Sequence, residues 1–242
     1  GIISLSSPLK KKEKISSIIF SFKKLLLPIK RYYHFPLYSG PAKLVHTLTT
    51  KLPIIFLATL YGGQVVGFYG LANSIIRMPM DLIGASVGNV LYGEISNLGR
   101  EKPEKIKRLT QKLQKKLVLI GSIPLLILLF YGPALFSLVF GDNWYQAGEY
   151  ARLLSGVVFF NFITTPISNV ASVFEKMKET LWLSVLRLLL VFLVFGFAKY
   201  LSLNSYWTIG LYSLAMSINY LTIYFFAQWI INDAIKEKGA KS

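Results

Sequence analysis

The sequence predicts an all-α fold, that of a polytopic membrane protein with six transmembrane helices. Its 242 residues are 53% hydrophobic and only 16% charged, whereas about a quarter of the residues of an average soluble domain are charged. Several uncharged runs are long enough to span a bilayer, which takes about 20 apolar residues per helix. These runs are continuous and lack the short alternating strands of a transmembrane barrel, so helices are predicted.

Six segments have the composition of membrane spans, and the polar stretches around them divide the chain into three parts. The predicted spans lie at about residues 42–62, 63–98, 117–140, 150–174, 180–202 and 206–232. We expect a basic cytoplasmic connection at 1–41, a six-helix transmembrane lobe at 42–232 and a basic cytoplasmic tail at 233–242.

The first 41 residues alternate lysines with short apolar patches. The apolar residues recur at helical spacing, which predicts an amphipathic helix on an anionic membrane surface. They are Ile15, Ile18, Ile19, Phe22, Leu25 and Leu26. A solvated basic loop fits this stretch equally well. The chain begins at Gly1 without a signal-peptide pattern, so we expect a further N-terminal part before it.

The connections between the spans alternate in charge. Residues 99–116 are densely basic, whereas residues 140–149 contain two acids and no Lys or Arg. Because short loops rich in Lys and Arg stay on the cytoplasmic side, both ends of the chain are predicted to be cytoplasmic. The same rule accounts for the formal net charge of +16, so no nucleic-acid partner is expected.

The second predicted span, residues 63–98, looks apolar enough to cross a bilayer and still carries charges at mid-length. At about 100° per residue, one helical face is small or polar and the opposite face is lipid-like. The first face carries Gly70, Asn73, Arg77, Asp81, Gly84 and Gly88, and the second carries Phe68, Ile75, Leu82 and Val90. A charge at the centre of a membrane helix costs about 2.5–3.5 kcal/mol on insertion scales. The polar face is therefore predicted to border a cavity formed with other helices, with the two glycines of its last turns packing closely on a neighbour.

Three basic residues lie inside predicted spans: Lys51, Arg77 and Arg187. Arginine offers bidentate donors to phosphate oxygens and lysine offers a point charge, so all three are candidate substrate-binding residues. Two of them have alternative roles. Arg77 lies at i,i+4 spacing from Asp81 and can form a structural ion pair, and Arg187 can extend to the inner membrane interface. Lys51 is the deepest by residue count, which favours the cavity.

Polar uncharged side chains complete the candidate site. Five amides can hydrogen-bond to sugar hydroxyls, and Asp81 supplies a carboxylate beside them. The amides are Gln64, Asn73, Asn161, Asn169 and Asn219. His46 is a candidate proton relay because the charge of histidine changes near neutral pH. A hydrogen-bonded packing histidine is the commoner alternative.

The sequence gives no reason to expect catalysis or a cofactor. It has no cysteine, which excludes disulfides, thiolate metal sites and cysteine nucleophiles. It has two histidines and neither an HExxH motif nor a Walker loop. We therefore predict that the protein is not an enzyme and holds no metal or cofactor.

A series of short motifs resembles one family of membrane transporters. The motifs, in chain order, are Phe35-Pro36-Leu37-Tyr38-Ser39 with Pro41, then Val66-Gly67-Phe68-Tyr69-Gly70-Leu71-Ala72, then Arg77, Pro79 and Leu82-Ile83-Gly84, and finally Phe140-Gly141, Trp144 and Ala147. Their order and spacing resemble O-antigen and polysaccharide flippases, the polysaccharide-transport branch of the multidrug/oligosaccharidyl-lipid/polysaccharide exporter superfamily. The resemblance extends from about residue 30 to residue 232.

The resemblance implies the C-terminal lobe of a two-lobed, twelve-helix transporter in the bacterial plasma (inner) membrane. It implies that a polyprenyl-pyrophosphate-linked oligosaccharide, such as an O-antigen or capsule-type repeat unit of the cell envelope, is flipped across the membrane by alternating access. The implied partners are the lipid-linked oligosaccharide, membrane lipids and the missing N-terminal lobe. Two alternatives stay open: export of another lipid-linked precursor of the peptidoglycan type, and a truncated fragment that does not transport.

Overall fold

The computed structural model describes residues 34–240, apart from the side chains of 34–37 and 39, and contains no strand over this range. The helices are α1 (His34–Tyr61), α2 (Gly63–Leu98), α3 (Pro103–Phe140), α4 (Tyr145–Ser168), the one-turn α5 (Val170–Val173), α6 (Met177–Tyr200) and α7 (Ser205–Gly239). A 3₁₀ turn, Asp142–Trp144, leads into α4. The prediction of an all-α lobe is confirmed.

Helix α4 lies at the centre of the helix assembly. Of its 24 residues, 14 are buried, including Tyr150, Leu154, Phe162 and Ile167. Helices α2, α3 and α7 pack around it. A helix that is apolar on nearly all sides needs such complete enclosure, so the composition of α4 determines its central place.

Five of the six long helices form a closed ring. Helix α4 contacts α2, α2 contacts α1, α1 contacts α6, α6 contacts α7, and α7 returns to α4. Helix α3 packs on the outside of this ring, mainly against α4. The ring therefore encloses an interior lined by five different helices.

Within the described part of the chain, five segments are long and apolar enough to cross a membrane, so this is a multi-pass membrane protein. They are Gly40–Tyr61, Pro103–Phe140, Asp142–Val173, Met177–Tyr200 and Ser205–Gly239. Helix α2 is not among them, and the expectation that residues 63–98 are apolar enough on their own is wrong. Its 36 residues are long enough, at about 1.5 Å of rise per residue, but polar residues at mid-length lower its hydropathy. Helix α2 depends on packing against α4 and α1.

Several helices are longer than the sequence predicts. Helix α1 begins at His34, inside the predicted connection, and α7 continues to Gly239, inside the predicted tail. Helix α3 begins at Pro103, so most of the basic stretch 99–116 is helical and continuous with the apolar span. Lys, Arg and Glu are good helix formers, so these helices continue beyond the apolar spans that hydropathy predicts. The predicted amphipathic helix before residue 34 lies outside the described residues.

Glycines allow α4 to approach its neighbours closely. A Cβ atom built on Gly148 would lie 2.4 Å from the Cα atom of Pro133 and 2.6 Å from the carbonyl oxygen of Gly132. Helix α2 approaches α4 in the same way, because a Cβ atom on Gly88 of α2 would lie 3.4 Å from the Cα atom of Pro166 of α4. Small residues at such positions let membrane helices pack backbone to backbone. The predicted packing role for the glycines late in α2 is thus confirmed.

Ion pairs join the helices at the end of the lobe where α3 and α6 begin. Arg100 pairs with Glu175 and donates its Nε–H to the carbonyl oxygen of Val173 at 3.1 Å. Lys238 near the end of α7 lies 3.3 Å from Glu104 in the first turn of α3. All four charged side chains are about half exposed or more, so solvent screens both pairs and they contribute little to stability.

We predict that Gly148→Ala destabilises the protein by about 1–3 kcal/mol, because the added methyl group meets backbone and forces α3 away from α4. The matched control is Gly196→Ala in α6, where a Cβ atom meets nothing within 4 Å and alanine favours the helix by up to about 1 kcal/mol. The measurement is the thermal unfolding midpoint of each variant in detergent or nanodiscs. Equal midpoints for the two variants would contradict the close contact.

Candidate functional site

A polar pocket lies inside the five-helix ring. Each helix of the ring contributes to its wall, and polar side chains from four of them face it. The lining residues are Thr49 and Thr50 of α1, Asn73 and Arg77 of α2, Leu154 and Val157 of α4, Arg187 of α6, and Tyr212, Met216 and Tyr220 of α7. The pocket thus brings together three of the predicted site residues, Asn73, Arg77 and Arg187.

The guanidinium of Arg187 is the most extensively contacted group of the site. Its Nε–H donates to Oδ1 of Asn219 at 3.0 Å, and its carbon lies 4.5 Å from the ring centre of Tyr220. Arg187 is only 7% exposed and lies near the middle of α6. Its alternative role, extension to the membrane interface, is therefore wrong. Burial of an arginine in a membrane helix is compensated here by hydrogen bonding and by a cation–π contact.

His46 completes the surroundings of Arg187 from helix α1. The Nδ1 atom of His46 lies 2.8 Å from a terminal nitrogen of Arg187. A guanidinium has only donors, so Nδ1 has to be the acceptor and His46 is the neutral tautomer that carries its proton on Nε2. The histidine itself is exposed. His46 and Arg187 thereby connect α1 to α6 through one hydrogen bond.

Arg77 faces Arg187 across the pocket and is incompletely satisfied. Arg77 and Tyr220 both line the pocket, and Arg187 contacts the ring of the same tyrosine. Among the described residues, the buried Nε of Arg77 finds no hydrogen-bond partner, and neither does the Nδ2 of Asn219. The amide orientation of Asn219 is fixed, because its Oδ1 accepts from Arg187. Both unsatisfied atoms are therefore donors.

The pocket is built to receive an acceptor. Its volume is about 20 Å³, which accommodates about one water molecule. Two arginines line the pocket and the Nε–H of one of them lacks an acceptor, which favours an oxygen atom that carries negative charge. Within the described residues, no group of three His, Asp or Glu side chains could hold a metal ion. The chemistry that the arrangement supports is recognition of an anion.

Asp81 belongs to a separate polar cluster between α2 and α4. Its Oδ1 accepts from Nδ2 of Asn161 at 3.2 Å, and Oδ1 of Asn161 accepts from the hydroxyl of Thr165 at 3.0 Å. In the described part of the chain, no ion pair within 4.0 Å links Asp81 to Arg77. The alternative of a structural i,i+4 pair is therefore not realised as a contact, and Arg77 is directed to the pocket.

The remaining predicted residues lie away from the pocket. Asn169 donates its Nδ2–H to the carbonyl oxygen of Gly88 at 3.2 Å, which links α4 to α2 where the two backbones are close. Lys51 is exposed on α1 and does not line the pocket. Depth along the sequence therefore did not identify the cation that faces the interior.

The sequence points to Asn219 only as an amide for sugar hydroxyls, and it does not point to Tyr212 and Tyr220. The two tyrosines are about two turns apart on α7 and both line the pocket, while Asn219 accepts from Arg187. The i,i+8 spacing of two tyrosines in a span with no charged residue was the available signal.

Two further features of α2 complete the description. A second cavity of about 240 Å³ lies between α2, α3 and α4 and is almost wholly apolar. The residues Gly84-Ala85-Ser86-Val87-Gly88 match the letters of the GxSxG pattern of hydrolases. Here they lie inside an α-helix, and the hydroxyl of Ser86 donates to the carbonyl oxygen of Leu82 at 2.8 Å. The strand–turn–helix context of a nucleophile elbow is missing.

We predict that Asn219→Ala destabilises the protein by about 1–3 kcal/mol, because it leaves the buried Nε–H of Arg187 without its acceptor. The matched control is Asn89→Ala, since Asn89 is an exposed asparagine of α2. The thermal unfolding midpoint in nanodiscs distinguishes the two variants. An unchanged midpoint for Asn219→Ala would show that another group satisfies Arg187.

Comparisons with known proteins agree with this architecture. Residues 16–149 match the family described as polysaccharide biosynthesis protein. The chain is also similar to the teichuronic acid biosynthesis protein TuaB of Bacillus subtilis (strain 168), with 26% identity over 143 residues, which make up 59% of this chain and 29% of that protein. No solved structure matches. Because the family match, residues 16–149, covers more than half of this chain, the chain belongs to the polysaccharide biosynthesis protein family.

Proposed function

We propose that this chain takes part in flipping a polyprenyl-pyrophosphate-linked oligosaccharide across the bacterial plasma membrane. It would form the C-terminal six-helix lobe of a two-lobed transporter. The observation that carries the proposal is the pair of arginines that line the pocket, since the buried Nε–H of Arg77 finds no acceptor among the described residues. A lipid-linked pyrophosphate is an acceptor of this kind.

In the proposed cycle, this conformation is a closed state, because the pocket is small. A volume of about 20 Å³ is too small for a pyrophosphate, so α1 or α6 has to move before the lipid-linked anion reaches both arginines. The hydrogen bond between His46 and Arg187 is the contact that such a movement breaks. Alternating access through movement of helix bundles around a fixed site is the general scheme of such transporters.

The other predicted residues take secondary roles in this proposal. Asn73 lines the same pocket and can hydrogen-bond to the sugar nearest the pyrophosphate. Asp81 and Asn161 form a polar patch where further hydroxyls can bind, and Lys51 is an exposed cation at the edge. We propose Asn169 as a structural residue, because its amide already bonds to α2.

We predict that Arg77→Ala and Arg187→Ala each reduce surface polysaccharide about tenfold to a hundredfold in cells that depend on the gene encoding this chain. Each variant loses one or two charge-assisted hydrogen bonds of about 1.5–3 kcal/mol each. The measurement is cell-surface polysaccharide, normalised to the amount of the protein in the membrane.

The matched control for the two arginine variants is Arg108→Ala, which removes an exposed arginine of α3 far from the pocket. Arg77→Lys retains the charge but loses the planar donor geometry, and we expect an intermediate loss. Normal export by both alanine variants at normal protein levels would disprove the site assignment.

The topology is open to a direct test because the sequence lacks cysteine. We predict that a single cysteine at Lys105, in the basic start of α3, reacts with a membrane-impermeant maleimide only after the cells are opened. A single cysteine at Asn143, in the turn before α4, reacts in intact cells. The reversed pattern would place both ends outside and contradict the positive-inside assignment.

A further inference from the structure

Arg187 links His46 to the pocket. One of its terminal nitrogens bonds to Nδ1 of His46 at 2.8 Å, and Arg187 also lines the pocket where the proposed anion binds. An anion that draws the guanidinium toward the pocket breaks the bond to the histidine. His46 then loses its donor and lies beside two arginines and a bound negative charge.

The consequence of this exchange follows from the charges around His46. The groups that face it are Arg187 from α6 and Arg77 from α2, while Lys43 and Lys51 lie one turn away on its own helix α1. No described carboxylate pairs with these groups. Without an anion, a proton on His46 would face only positive charge and a donor. With an anion, the same proton gains an attractive partner.

We propose that binding of a phosphate-like anion in this pocket is coupled to uptake of one proton by His46. The proposal rests on the proposed function and adds the identity of the coupled ion and of the group that carries it. Because coupling between two binding equilibria is reciprocal, protonation of His46 in turn breaks its bond to α6 and strengthens anion binding.

The test measures binding of radiolabelled sulfate to the full chain in nanodiscs at pH 5.5, 6.5 and 7.5. Sulfate resembles phosphate in shape and charge and does not titrate in this range, so any pH dependence belongs to the protein. If one proton is taken up, the affinity rises by up to about tenfold per pH unit as the pH falls.

Two variants of His46 distinguish the coupling from a general effect of charge. His46→Gln retains an acceptor for Arg187 but cannot take up a proton, so its affinity is expected to be independent of pH. His46→Lys places a permanent cation at this position, and its affinity is expected to be high at all three pH values. The same pH dependence in His46→Gln as in the unaltered chain, or none in the unaltered chain, overturns the proposal.

Failure of the coupling and failure of the site give different results. Sulfate binding without pH dependence leaves the anion site intact and removes only the coupling to His46. No binding at any pH removes the anion site itself and with it the proposed function. Displacement of sulfate by an isoprenyl diphosphate at lower concentration than by inorganic pyrophosphate supports the lipid-linked ligand, and equal displacement overturns that assignment.

A spectroscopic measurement checks the tautomer of His46 in the absence of anion, which is the starting point of the proposal. The sequence has only two histidines, so His34→Gln leaves His46 as a single ¹⁵N reporter. We expect an unprotonated Nδ1 and a protonated Nε2 in the absence of anion. The opposite tautomer would contradict the bond to Arg187 and overturn the proposal.

Discussion

The interior of this protein depends on one buried guanidinium. Arg187 connects three helices of the ring through Asn219, Tyr220 and His46, and each contact offsets part of the cost of a charge at membrane depth. Among the described residues, hydrogen bonds and a ring face compensate the charge of Arg187, and no carboxylate forms an ion pair with it. This charge, together with that of Arg77, is the basis of the proposed anion site.

The packing of the apolar residues makes this polar interior possible. Helix α4 is buried almost throughout, and glycines at its contacts with α3 and α2 bring the backbones close together. With α4 fixed by its neighbours, the ring of five helices has one rigid wall. The opposite wall, formed by α1 and α6, contributes Thr49, Thr50 and Arg187 to the pocket. The two helices of this wall are held together by the stacked rings of Phe56 and Phe195, 5.0 Å apart, and by the hydrogen bond between His46 and Arg187.

Hydropathy and loop charges predicted the fold class and the number of long helices, because both depend on composition averaged over about 20 residues. The ends of α1, α3 and α7 were placed wrongly, since hydropathy cannot separate a helix that leaves the membrane from a loop. The hydropathy of α2 is lower than predicted, because the polar residues at mid-length offset its lipid-like face.

The candidate site was predictable in part. Arg77 and Asn73 were found because they share the polar face of one helix, which is a local property of the sequence. The role of Arg187 was undecided, and Lys51 was favoured over it, because depth in a sequence does not reveal whether a side chain points into the ring. The contacts of Asn219 and Tyr220 with Arg187 were not predictable, since they join residues more than 30 positions apart in the chain.

The length of α7 has a mechanical consequence. This helix is continuous from Ser205 to Gly239, so the backbone at Tyr220 and the backbone at Lys238 belong to one stiff rod, separated by about 27 Å at the rise of an α-helix. A tilt of α7 imposed at its basic end therefore also moves the part of the helix that lines the pocket. The ring of Tyr220 would then shift against both arginines, and so a partner that never enters the membrane could still alter the anion pocket.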